Sequence, residues 1–235
     1  MNADRASLTG RREPLASGVA AALTAARIPL SKLGPARRAR LTDSECELYF
    51  WILRRFATRG RPVSAETRDA AERFGLDVGQ ALETLAREDL VHLDREGEIA
   101  VAYPFSGRPS AHSVRFQDGT EAYAMCAIDA LGMAPMFDEP IEIASRDPLT
   151  GEKIQVELEA DGMGSWQPHE TVVVCGASGS GESCCSCCPV LNFFASKENG
   201  ERWLEARPEV VGRVISMRDA IATGRSVFGE VLEAR

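Results

Sequence analysis

The chain has no apolar run of the length a membrane-spanning helix needs, about 18 residues, so no segment is expected to span a membrane as a helix. It is short of positive charge: 27 Lys and Arg stand against 35 Asp and Glu, a net charge of −8. Such a chain has no general pull towards phosphate, which counts against nucleic acid as a partner. Histidine is scarce. His92, His112 and His169 show no metal-ligand spacing, and each reads as an ordinary surface or core residue. No internal repeat is present, and no low-complexity tract apart from one Gly/Ser/Cys-rich loop. A paired disulfide framework is disfavoured because the seven cysteines are an odd number.

A phosphate-binding loop is also missing, although one stretch comes close. "VVVCGASGSGES" runs from a strand into G-x-x-x-x-G, but Glu182 stands where the loop needs lysine. A carboxylate there repels phosphate, and Pro189 limits the helix that should follow. The N-terminus resembles a twin-arginine export signal only in Arg11-Arg12. Glu13, Pro14 and Arg27 break the pattern and no small-residue cleavage site follows, so an amphipathic helix over Leu15 to Ile28 is the better reading. The expected compartment is the cytoplasm, where thiols stay reduced.

With 235 residues, 44% hydrophobic and 26% charged, the composition is ordinary for a globular protein with a sizeable core. Thr42 to Glu45 ("TDSE") has capping-box form and predicts a helix to about Thr58. Ser64 can cap a second helix that stops at Gly75, and Asp77 a third. "LVHLD" and "IAVAYPF" around "REGE" predict a hairpin. Three helices and a hairpin suggest a winged-helix-like module over residues 40–105, behind an N-terminal extension, 1–39. The candidate recognition helix, about 77–89, carries Asp77, Glu83, Arg87, Glu88 and Asp89, a net negative face hostile to DNA; a structural or lid-forming role is the plainer reading.

Residues 106–235 read as an α+β domain with a mixed, largely antiparallel sheet and flanking helices. "QDGT" and "DPLTG" mark hairpin turns. "AYAMCAIDALGMAP" is helical in pattern, with stops at Gly132 and Pro135. "ETVVVC" and "EVVGRVIS" predict strands. "SKENGERWLEA", capped by Ser196, and "MRDAIATGRSVFGEVL" predict helices.

Four cysteines, Cys184, Cys185, Cys187 and Cys188, fall within five positions. A metal clip, a redox switch and a soft-metal reaction site are all open to them. A structural zinc site wants a second C-x-x-C, which is missing. Thioredoxin-like chemistry wants the pair to open a helix after the first strand of a βαβ unit. Cys126 and Asp129 are three apart in a helical pattern, which puts thiol and carboxyl on one face, about 5–6 Å apart at Cβ. That is a proton-handling pair.

The segments "YAMCAIDAL" and "CCPVLNFFAS" resemble the organomercurial lyase (alkylmercury lyase) family, which shows Tyr-Ala-x-Cys-Ala-x-Asp-x-Leu and a cysteine five positions before Phe-Phe-Ala-Ser. "RDPLTG" and "VISMRDAIATG" also fit, and the likeness covers about residues 40 to 230. The chain departs from the family in its four clustered cysteines, its longer N-terminus, and Asp147, where some members have cysteine. The resemblance implies protonolysis of R–Hg⁺ to RH and Hg²⁺, with Cys126, Cys188 and Asp129 as catalytic residues and mercury ligands, and residues 106–235 as the catalytic domain. It implies no cofactor. Cys184, Cys185 and Cys187 are either further mercury ligands, passing Hg²⁺ to small thiols or a mercuric reductase, or plain loop residues. The reading from another class is a metal-responsive winged-helix DNA-binding regulator that senses a soft metal through its cysteine cluster.

Overall fold

The computed structural model describes residues 34–179 and 186–229, with isolated positions 20, 24 and 232. The helix expected over 15–28, and Cys184 and Cys185, lie outside the described residues.

After a short helix α1 (Gly34–Arg38), Thr42 opens α2 (Asp43–Arg59) with the capping box expected of it. The Thr42 hydroxyl accepts from Glu45 N–H while the Glu45 carboxylate accepts from Thr42 N–H. Helix α3 (Ser64–Arg73) follows, and then α4 (Val78–Arg87), whose cap is Asp77. Ser64 is not the cap of α3. Val63 holds that position, and the Ser64 hydroxyl bonds Glu98 in the distant hairpin instead.

Strands β1 (Val91–Leu93) and β2 (Ile99–Ala102) form the expected hairpin, which continues through β3 (Phe105–Ser106) into a larger sheet. Hairpin β4 (His112–Phe116) and β5 (Glu121–Ala124) sits in its middle. Beyond it lie β6 (Ile141–Arg146), β7 (Lys153–Leu158) and β8 (Gly164–Gln167). The order is β1-β2-β3-β5-β4-β6-β7-β8. Burial alternates strictly along β6 and β7, the mark of a sheet packed on one face.

Helix α5 (Ala127–Phe137) covers the buried face. A second sheet has the order β10-β9-β11, with β9 (Val172–Ser178) between β10 (Asn192–Phe194) and β11 (Val210–Ser216). Two helices finish this part: α6 (Lys197–Glu205), capped by Ser196, and α7 (Met217–Phe228). Every strand pairing among the described residues is antiparallel. The architecture is α+β.

Helix α5 runs past both stops expected in its sequence. Pro135 lies in its last turn, and the helix ends at Asp138, which takes a left-handed conformation and donates its N–H to Ala134 O. Gly132 is a packing residue: it lets α7 approach. A Cβ on Gly224 of α7 would sit 2.9 Å from Gly132 N and 3.1 Å from Ile128 O, both backbone atoms that cannot swing aside. Gly224→Ala should therefore destabilise the protein by about 1–3 kcal/mol, the usual cost of overpacking. Urea titration checks this as a lowered midpoint with an unchanged slope.

Candidate active site

Strand β5 delivers the chain to Cys126. That residue is extended (φ −155°, ψ 177°) and is the N-cap of α5, not a member of the helix. Its Sγ accepts from Asp129 N–H at 3.4 Å. The three-residue spacing is thus the spacing of a cap to the first turn, which brings the Asp129 carboxyl back towards the cap sulfur.

Cys188 arrives from the other side. It lies in the turn before β10, where Cys187 O accepts from Val190 N (2.8 Å) and Leu191 N (3.1 Å). Phe193 and Phe194 are fully buried and pin β10 against β9. Leu191 O accepts from Ala127 N at 2.9 Å, which ties this segment to the start of α5. The result is a cluster of Cys126, Asp129 and Cys188 with ligand atoms all within 4.8 Å of one another. Cys188 Sγ is 3.8 Å from Asp129 Oδ2. The three residues are 1%, 5% and 6% exposed, so solvent screens them little.

Burial sets the protonation states. It pushes the Asp129 carboxyl up to about 7, against hydrogen bonds from Cys126 and Cys188 and the charge of Arg37, which favour the carboxylate. Burial likewise pushes the Cys126 thiol up to about 12. The Cys188 thiol is held well above its ordinary range, first by its hydrogen bond with Cys126 and then by burial. At neutral pH the site rests as two thiols beside a carboxyl able to take or give a proton. A soft cation that replaces the thiol protons releases them next to that acceptor.

The raised carboxyl has a consequence for stability. Between pH 4 and 7 the folded protein keeps the Asp129 proton that the unfolded chain has lost. Its contribution therefore fades as pH rises through that window and is gone above it. Asp129→Asn removes this dependence. Relative to wild type, the variant should gain stability from pH 4 to pH 8 by at most about 4 kcal/mol, measurable by denaturant titration at the two pH values.

The other residues fall where their surroundings dictate. Asp147 is buried and structural: its carboxylate accepts from Leu149 N, Thr150 N, Ala195 N and Asn199 Nδ2. His112 is a core residue bonded to Ser145 Oγ, its ring pushed down to about 4 by burial and so neutral. His92 bonds Asp89, and His169 lies near Gln167 at the surface. Cys187 is buried next to the cluster. Tyr103 was not legible as a site residue, yet its hydroxyl lies 3.9 Å from Cys188 Sγ. It reads locally as one more residue of a strand end, and no spacing connects it to a cysteine 85 positions later.

Residues 105–229, more than half of the chain, match the alkylmercury lyase family. The chain belongs to that family. An alkylmercury lyase of Staphylococcus epidermidis is 31% identical over 180 residues, which cover 74% of this chain and 80% of that protein. One of Bacillus cereus is 29% identical over 189 residues, covering 79% and 84%. The crystal structure of the mercury-bound form of MerB2 has the same fold, with a TM-score of 0.71 and 19% identity over 87% of this chain and 98% of that one. No described helix is long and apolar enough to cross a membrane.

Proposed function

We propose that this alkylmercury lyase family member is an organomercurial lyase, with Cys126, Cys188 and Asp129 as its catalytic residues. The observation that carries the reading is the buried cluster of two thiols and one carboxyl, with ligand atoms all within 4.8 Å of one another, in a chain of this family. One thiol gives up its proton and its sulfur bonds the mercury of R–Hg⁺. The second thiol does the same, and the added electron density on mercury weakens the carbon–mercury bond. Asp129 takes a thiol proton and delivers it to the leaving carbon, which departs as RH. The balance is R–Hg⁺ plus two thiols giving RH, a mercury dithiolate and one proton. A carboxyl held near 7 is suited to both halves of that transfer. The chemistry calls for no cofactor.

The front of the chain fits a cover over this site. Helices α2–α4 and hairpin β1–β2 have the element order of a winged-helix-like module over 40–105, between the 1–39 extension and a catalytic domain over 106–235. Its Tyr103 reaches Cys188. Cys126 and Cys188 are free thiols, which suits a cytoplasmic setting. Cys184, Cys185 and Cys187 would receive Hg²⁺ and pass it to small thiols or a mercuric reductase.

Incubation with phenylmercury and excess thiol should release benzene catalytically. Phenylmercury that stays bound, with no benzene formed, would refute the reading. The triple change Cys184→Ser, Cys185→Ser and Cys187→Ser should leave the first turnover intact and slow later turnovers at low thiol. Loss of the first turnover would mean that the assignment of Cys188 is incomplete.

A further inference from the structure

Tyr103 joins the front of the chain to the thiol cluster, and its backbone and ring are held by residues outside that cluster. Its N–H donates to Leu90 O at 3.0 Å, and its carbonyl accepts from Tyr49 OH at 2.7 Å. The Arg37 guanidinium lies over its ring, 5.8 Å from the centroid, and the His92 ring meets it edge-on at 5.8 Å. Arg37 is held in turn by Asp89 at 3.1 Å. The ring is buried and locked, so its hydroxyl has a defined place 3.9 Å from Cys188 Sγ. This is how a supporting residue holds a reacting group: its own position is set by packing elsewhere.

The two sulfurs differ in their donors. Cys126 Sγ has a backbone donor in Asp129 N–H. Cys188 Sγ meets the neighbouring thiols Cys126 and Cys187 and faces two oxygens, Asp129 Oδ2 at 3.8 Å and Tyr103 OH at 3.9 Å. A thiol has one proton to give, and a carboxylate can only accept. Once that proton has moved to Asp129, Cys188 Sγ becomes an acceptor, and a phenol hydroxyl can turn to donate to it.

We propose that Tyr103 is a positioning residue for carbon–mercury cleavage: its hydroxyl donates to the Cys188 sulfur as that sulfur loses its proton and binds mercury, holding it alongside Cys126. The proposal rests on the lyase reading above. In this step the Cys188 S–H bond breaks, an Asp129 O–H bond and a sulfur–mercury bond form, and Tyr103 keeps its own proton. The carbon–mercury bond breaks only when Asp129 returns the proton.

The test is Tyr103→Phe, which keeps the ring, its contacts with Arg37 and His92, and both backbone bonds. Wild type, Tyr103→Phe and Tyr103→Leu are compared for benzene release from phenylmercury with excess thiol. Tyr103→Phe should lose about 10-fold in kcat, the scale of a hydrogen bond to a charged group, with KM within about 2-fold of wild type. Tyr103→Leu should lose the same in kcat and also melt lower, because it gives up the ring as well. Mass spectrometry should find phenylmercury on Tyr103→Phe as readily as on wild type. Full activity in Tyr103→Phe with loss only in Tyr103→Leu would make the residue purely structural and overturn the proposal. So would a raised KM at unchanged kcat, or a Tyr103→Phe chain that does not fold. Wild type that releases no benzene fails the lyase reading itself, needs no variant to show it, and takes this proposal with it.

Discussion

Cys126→Ser and Cys188→Ser should each lower benzene release by at least about 10²-fold, the scale of losing a nucleophile or its proton partner. A serine hydroxyl is close in size to the thiol but is a hard, poorly ionised ligand for a soft metal. The structure separates this loss from any loss of folding. Cys126 is the N-cap of α5, a position where serine is among the preferred residues and cysteine is not, so Cys126→Ser should keep or improve helix stability. At 188 a hydroxyl can still bond Asp129 or Tyr103, both within reach of the present sulfur. Thermal melting should therefore place both variants near wild type while turnover collapses. Near-normal benzene release from either would remove that cysteine from the mechanism.

Local signals in the sequence translated well into structure. Thr42, Asp77 and Ser196 cap the helices that their spacing announces. The Gln117–Thr120 and Asp147–Gly151 turns close the hairpins flanked by alternating runs. Misreadings arose where a distant partner decided the outcome. Ser64 has the residue type of a cap, but Glu98, 34 positions on, takes its hydroxyl. Gly132 has the residue type of a helix stop, but α7 needs its missing side chain. Cys126 and Asp129 were paired correctly for an incomplete reason. A helix face and an N-cap share the spacing of three, and only the extended backbone at Cys126 tells them apart. Cys188 stood out among its neighbours through its offset from Phe193 and Phe194, which the family resemblance singled out. Tyr103 had no local mark at all, because its place is made by Tyr49, Leu90, Arg37 and His92 together.

Asp129→Asn is the change that best isolates proton transfer from mercury capture. Asparagine keeps the shape of the side chain, and the backbone N–H that donates to Cys126 Sγ is untouched. It can neither accept a thiol proton nor return one to carbon. The variant should still bind phenylmercury through Cys126 or Cys188, and release benzene at least about 10²-fold more slowly. Mass spectrometry should then find the phenylmercury adduct accumulating on the protein. A solvated bystander would change neither measurement, and burial of the carboxyl beside both sulfurs already weighs against that role. Loss of binding together with turnover would give Asp129 a different task. It would then chiefly ionise or place the thiols, and the proton that reaches carbon would come from another donor. Stability supplies an independent check, because the same variant should gain on wild type as pH rises from 4 to 7, the window in which the unfolded chain has lost the Asp129 proton and the buried native carboxyl still holds it. A slow enzyme that is more stable than wild type in alkali would show that the buried charge is kept for chemistry and at the expense of the fold.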